Sequence, residues 1–315
     1  MKSLRMDRLG IFFILIWSSG YVVGSIATQV IAPLSLTLWR FVVAAAVLGV
    51  IARIRREVWP RGFRQLAPVA LTGVLMFGVQ FGGLYIGLAA GMPASTTALI
   101  ACSAPLLVAL GSAALRWDRL STPQWIGIAL GVVGVVVTLA DRLGRPPSVA
   151  ALSWTVLGLL GLTLGTLLQS RLSLTAGPAA LASVQVSAAI AVLAVWAPLD
   201  GSLRIPLTVH ALLSFLWLAT IAGVGGPLLL IALIRSRGAT RASSLLFVVP
   251  AVTAIASWPI LGHRVGPAAV LGLVVAAAGM WLVTTRRNRQ AAKAVGSTDS
   301  RNATVDSQAS VDAAA

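Results

Sequence analysis

Arg40 is the only charged side chain set well inside a long apolar run of this 315-residue chain. A cation near the middle of a membrane-spanning helix costs about 2.5–3.5 kcal/mol on insertion scales, so something must return that cost. A guanidinium facing a cavity does so by attracting an anionic or zwitterionic group. One close to the end of its run instead snorkels to the interface or clamps backbone carbonyls. Gln185, 145 residues later, is polar and out of place in the same way. The other polar and aromatic residues of the runs add binding chemistry. Trp17-Ser18-Ser19-Gly20-Tyr21 offers rings for an apolar body and hydroxyls for orientation. The same small residues also suit close helix packing. Gln80 and Tyr85 share one run and Gln169 sits at the end of another, and a buried amide in lipid needs a partner inside the bundle. Ser103 stands beside Pro105, while Ser244, Thr253 and Trp258 stand around Pro250. Each proline removes an intrahelical hydrogen bond. Breaks matched in two halves point to a midplane binding site and hinge, or else to kinks whose hydroxyls satisfy the backbone. Gly225-Gly226-Pro227 is a third break, with Pro227 the residue that cannot continue the helix.

These residue types bind; they do not catalyse. Asp7, Glu57, Asp118, Asp141, Asp200, Asp299, Asp306 and Asp312 all lie outside the apolar runs, in loops, run ends or the tail. His210 and His263 sit at run ends, and Cys102 is the single cysteine. No constellation for acid–base or nucleophilic chemistry results. No metal ligand set, cofactor or disulfide is expected either. Proton-coupled carriers usually bury a carboxylate or histidine that loads and unloads the proton. Exchange, downhill export and proton coupling through the substrate itself remain open.

The elements that hold these residues must be membrane helices. The chain is 58% hydrophobic and only 10% charged, whereas globular domains carry about 25% charged residues. Runs of about 20 apolar residues span a hydrocarbon core as helices. Ten such runs are expected, near 9–31, 34–53, 66–88, 93–115, 123–140, 151–171, 178–198, 210–233, 240–262 and 266–285. The net charge of +16 does not mark a nucleic-acid partner, because the basic residues sit between the runs. With the N-terminus in the cytoplasm, the inside segments hold groups such as Arg53, Arg55, Arg56, Arg61 and Arg64, while the outside segments hold only Arg142, Arg145, Arg204 and Arg264. That asymmetry predicts a multi-pass protein of the plasma membrane with both termini cytoplasmic. The basic start before the first run could be read as a signal peptide, but a retained first span is expected, because removing that run would leave the first repeat incomplete.

The repeat is explicit. Pro33 recurs as Pro178, Pro105 as Pro250, Arg119 as Arg264, Gly127 as Gly272 and Gly134 as Gly279, all in one 145-residue register. Five runs per copy make the second copy enter the membrane from the opposite side. The expected fold is an all-α integral membrane protein of ten transmembrane helices in two inverted five-helix repeats. The copies are expected at 1–145 and 146–285, with 286–315 a disordered cytoplasmic tail. The glycines of the fifth and tenth runs read as helix packing.

In that order the landmarks resemble the EamA family of the drug/metabolite transporter superfamily, over about residues 9–285. They are Trp17-Ser18-Ser19-Gly20, Pro33, Leu38-Trp39-Arg40-Phe41, Pro105 and Leu120-Ser121-Thr122-Pro123-Gln124-Trp125-Ile126-Gly127, then Pro250 and the Gly272 and Gly279 pair. The family often has Glu at the ends of the fourth and ninth spans, where this chain has Asp118 and His263. The resemblance implies a carrier whose cavity is lined by the first, third, fourth, sixth, eighth and ninth spans. It implies substrates such as amino acids or other small metabolites, often exported, and sometimes toxic compounds. The repeat and the matched prolines predict alternating access, by a monomer or homodimer in the lipid bilayer. Efflux of drugs or toxic compounds, metabolite uptake and a channel are the other readings. A channel needs a continuous pore or filter, and no charged ring is visible.

Overall fold

Backbone N–H and C=O groups cannot stay unpaired in hydrocarbon, and a helix pairs them within one segment. The computed structural model describes residues 8–117, 119–140, 147–172, 175–201, 203–227, 229–230, 233, 245–262 and 266–284. Among these residues every regular element is helical. The first copy holds α1 (Arg8–Ala27), α2 (Pro33–Ile54), α3 (Phe63–Ala89), α4 (Ala94–Ala114) and α5 (Thr122–Ala140). The second holds α6 (Val149–Gln169), α7 (Pro178–Asp200), α8 (Val209–Gly225), α9 (Val249–Leu261) and α10 (Pro267–Thr284). Eight of the described helices are long and apolar enough to cross a membrane; α8 and α9 are shorter. Within the ninth run, expected from residue 240, Leu245 is helical, 246–248 form a turn and α9 runs from Val249; residues 240–244 lie outside the described residues. Ser244, Asp118, His263 and the tail lie outside the described residues.

Equivalent helices of the two copies run against each other. Helices α2 and α7 each begin on a proline, Pro33 and Pro178, where the missing N–H is one the helix leaves unused anyway. They pack antiparallel: Ala52 meets Ala179 and Ala180 near one end, and Leu38 shares a cluster with Leu193 near the other. Helices α5 and α10 cross through glycine. A methyl built at Gly127 would lie 2.7 Å from the Gly279 carbonyl, and one at Gly272 would lie 2.6 Å from the Gly134 carbonyl. The reverse pairs are as tight, so Gly127 faces Gly279 while its repeat partner Gly272 faces Gly134. Such reciprocal contact is what a twofold relation produces. Two antiparallel equivalents can arise only if the copies are inverted.

Two further features repeat in register. Helix α4 is interrupted at Ser103 (φ −78°, ψ −6°), two residues before Pro105, and α9 starts after Val248 (φ −84°, ψ −22°), two residues before Pro250. Ser103 and Val248 are 145 positions apart. Helix α3 contains π-helical turns at Val74–Val79 and α8 contains them at Trp217–Gly225. Shifted by 145 residues, the first stretch falls inside the second. π turns insert a residue into the helix and often mark functional sites. Sequence composition does not announce them.

Glu57, just past α2, ties the copies together at one end. Its Oε2 accepts from the backbone N–H of Ala179 and of Ala180, each at 2.8 Å, and so caps α7 with a carboxylate. A carboxylate there also complements the helix dipole. Glu57→Ala is expected to cost about 1–2 kcal/mol of stability, with Glu57→Gln costing less. Thermal melts in detergent micelles would read this; a Glu57→Ala melt equal to wild type would contradict the cap.

Candidate functional site

Helix α2 presents one stripe to an internal cavity of about 240 Å³: Arg40, Ala44, Leu48, Ile51 and Arg55. The spacing of four, four, three and four residues keeps one helical face aligned. The opposite walls come from Phe77, Gln80, Phe81 and Tyr85 of α3, from Pro178, Ala179, Ala182 and Val186 of α7, and from Ala222, Gly223 and Val224 in the π turns of α8. A second cavity of about 370 Å³ lies beside it, walled by Cys102 and Pro105 of α4, Leu162 and Thr166 of α6, Phe247 and Thr284. Trp17, Tyr21 and Gln80 belong to both walls and form the partition between them. Together the two cavities are on the scale of small-molecule sites, which run from about 300 to 1,000 Å³.

Arg40 is the polar centre of the first cavity. It is only 6% exposed, so it does not snorkel across a lipid-facing surface. Its Nη1 donates to the Tyr85 hydroxyl. Its guanidinium carbon stands 4.6 Å from the Phe81 ring centre, 5.4 Å from Phe41 and 5.5 Å from Tyr85. The rings brace one another edge to face, Phe41 against Phe77 at 5.7 Å and against Phe81 at 5.6 Å. Each cation–π contact returns about 0.5–2 kcal/mol, which offsets part of the burial cost. Among the described residues its buried Nε has no hydrogen-bond partner. No carboxylate lines the cavity among the described residues. The arrangement is a charged donor held ready in an aromatic box.

The structure thus brings together Trp17, Tyr21, Arg40, Gln80 and Tyr85 of the residues singled out from sequence, with Pro105 and Pro227 in the walls. The others lie elsewhere. Gln185 donates through Nε2 to Thr72 Oγ1 and to Gln169 Oε1, both at 2.8 Å, so the two amides partner each other between α3, α6 and α7. Ser18 donates to the Val249 carbonyl at 3.2 Å and joins α1 to α9. Ser103 and Thr253 each bond back to their own helix, at Ile100 and Val249. Pro250 is buried at the start of α9, and Trp258 is exposed on that helix. Sequence reasoning missed Phe41, Phe77 and Phe81, whose aromatic character does not stand out in runs this apolar. It also missed Arg55 as a cavity residue, although the heptad-like spacing from Arg40 was there to find.

A helical bundle in two inverted copies around a mostly apolar chamber that holds the buried cation Arg40 defines a membrane carrier of small molecules. The EamA-like transporter family model matches residues 5–140 and again 149–285. The chain belongs to that family. It is 33% identical over 145 residues to the aromatic amino acid exporter YddG of Ancylobacter novellus, a match spanning 46% of this chain and about half (49%) of that protein. It is 26% identical to the inner membrane transporter YedA of Escherichia coli, over 86% of this chain and 87% of that one. It is also 26% identical to an Escherichia coli protein named "Probable amino-acid metabolite efflux pump", over 89% of this chain and 95% of that one. A solved crystal structure shares the fold with a TM-score of 0.63 and 21% identity, over 90% of this chain and 97% of the other.

Proposed function

We propose that this chain is a secondary carrier that exports amino acids or other small metabolites by alternating access. It would work in the plasma membrane with both termini in the cytoplasm and bind its substrate between the copies. One observation supports this above the rest: both copies wall a single chamber, and the chamber holds a buried guanidinium with an unused donor. The relatives named as exporter and efflux pump support the direction. Arg40 would hold the carboxylate, and the rings of Phe41, Phe77 and Phe81 would hold an apolar body. Rocking about the matched breaks at Ser103 and Val248 and the matched π turns would expose the chamber to each side in turn.

The wild-type chain carries its own reporter, because its single cysteine, Cys102, lines the second cavity. In proteoliposomes, labelled phenylalanine or a related carboxylate is expected to show counterflow: unlabelled substrate inside accelerates labelled uptake. A saturating transported substrate is expected to slow methanethiosulfonate modification of Cys102 several-fold. Carried substrate without trans-stimulation would make the protein a channel, and a Cys102 rate indifferent to every carried substrate would remove the second cavity from the pathway.

A further inference from the structure

The charges of the first cavity restrict what it can hold. Among the described residues two charged side chains line it, Arg40 and Arg55, and both are cations on one face of α2. They lie 15 residues apart, about 22 Å along the helix. Arg55 is exposed at the end of α2, while Arg40 is buried. Glu57, the acid closest to Arg55 in sequence, is held by the start of α7. Across the whole sequence no Asp or Glu falls within an apolar run. A zwitterion in this chamber would leave its ammonium without a carboxylate partner, and the site with an uncompensated net positive charge. A monoanion neutralises the buried Arg40 and leaves only the exposed Arg55 charged.

We propose that the preferred substrate is an aromatic or bulky apolar carboxylate without an amino group, carried as the anion, and that the membrane potential drives its export. This rests on Arg40 as the carboxylate anchor of the carrier proposed above. The carboxylate enters past Arg55 from the cytoplasmic end and settles on the free Nε and the Nη groups of Arg40. Its apolar body packs on Phe41, Phe77 and Phe81. The loaded carrier is neutral at Arg40 and the returning empty carrier is not. Each cycle therefore moves one negative charge outward, whichever step carries it. An interior-negative membrane pushes that charge out, so the missing buried acid for proton coupling is no deficit. At equilibrium a 100 mV potential holds about a fifty-fold concentration ratio of a monoanion.

Three probes of one shape test this in proteoliposomes: 3-phenylpropionate, phenylalanine and phenethylamine, with protein-free vesicles subtracted. Valinomycin and potassium gradients set the potential. 3-Phenylpropionate is expected to show counterflow with a KM at least about tenfold below that of phenylalanine, since an unpartnered buried charge carries a penalty of that order. Phenethylamine is expected to be excluded. An imposed potential is expected to drive 3-phenylpropionate towards the positive side. Phenylalanine carried as well as or better than 3-phenylpropionate overturns the proposal, as does a 3-phenylpropionate distribution that ignores the potential; the carrier reading survives both results. Counterflow of none of the three overturns the carrier reading and this proposal with it.

Discussion

Arg40→Gln is expected to lower kcat/KM for a carboxylated substrate about a hundredfold to a thousandfold while leaving thermal stability unchanged or higher. The two halves of this result have one cause. Truncating one partner of a buried, hydrogen-bonded charge pair costs about 2–5 kcal/mol. In the empty carrier, however, Arg40 has no anionic partner among the described residues, only the Tyr85 hydroxyl and three rings. Removing the charge relieves its desolvation and forfeits only those contacts. A structural clamp would behave in the opposite way: the melt would fall and the transport loss would follow the lost protein. Arg40→Lys separates charge from geometry. A lysine keeps the cation but loses the planar fork that meets a carboxylate with two donors. It should recover part of the rate, with KM still raised. Tyr85→Phe removes the hydroxyl that orients Nη1 and should give a loss smaller than Arg40→Gln. Transport by Arg40→Gln equal to wild type, at equal protein level, would remove Arg40 from the site.

Gly73→Ala is expected to destabilise the fold by about 1–3 kcal/mol, the range for overpacked sites, and Gly73→Val by more. On helix propensity alone alanine should gain up to about 1 kcal/mol over glycine. The packing reverses that sign. A methyl at Gly73 would overlap the carbonyl, carbonyl carbon and Cα of Gln185 on α7, and a backbone cannot rotate away. To admit it, α3 and α7 must part, which stretches the Thr72–Gln185–Gln169 hydrogen bonds beside it. Gly78 is the control, on the same helix and inside the π turns. Its nearest neighbour would be the Ala189 Cβ at 3.7 Å, so Gly78→Ala should melt near wild type. Fluorescence-detected size-exclusion melts would show the contrast. Equal melts for the two variants would mean that α3 and α7 do not meet at Gly73.

The bundle was legible in the chain because lipid imposes a coarse demand that composition meets visibly. Ten apolar runs and the 145-residue register are enough to expect two five-helix copies, and Pro33 with Pro178 even marks two helix starts. The chamber was less legible for a physical reason. In water a helix shows its buried face by contrast with a polar one. Here lipid and protein interior are both apolar, so the Arg40–Arg55 stripe has no polar background against which to stand out. Arg40 could be read because a cation is costly wherever it sits in a membrane. Gln185 raised the same question, and the answer lay in Gln169 and Thr72, which are distant in sequence. The π turns of α3 and α8 depend on how neighbouring helices press on them, and no local residue pattern encodes that.

The glycine seam between α5 and α10 bears on how the molecule is made. Its two sides, at Gly127 and Gly134 and at Gly272 and Gly279, leave the ribosome about one whole repeat apart. A first half that entered the bilayer ahead of α10 would carry a groove that α10 later fills, with Gly127 and Gly134 open until it arrives. Helix α10, from the second copy, is the closing piece of the first half. A chain stopped before α10 would carry an open, close-packing surface into the membrane. A quality-control protease that reads exposed glycine faces would find there a signal of incomplete synthesis.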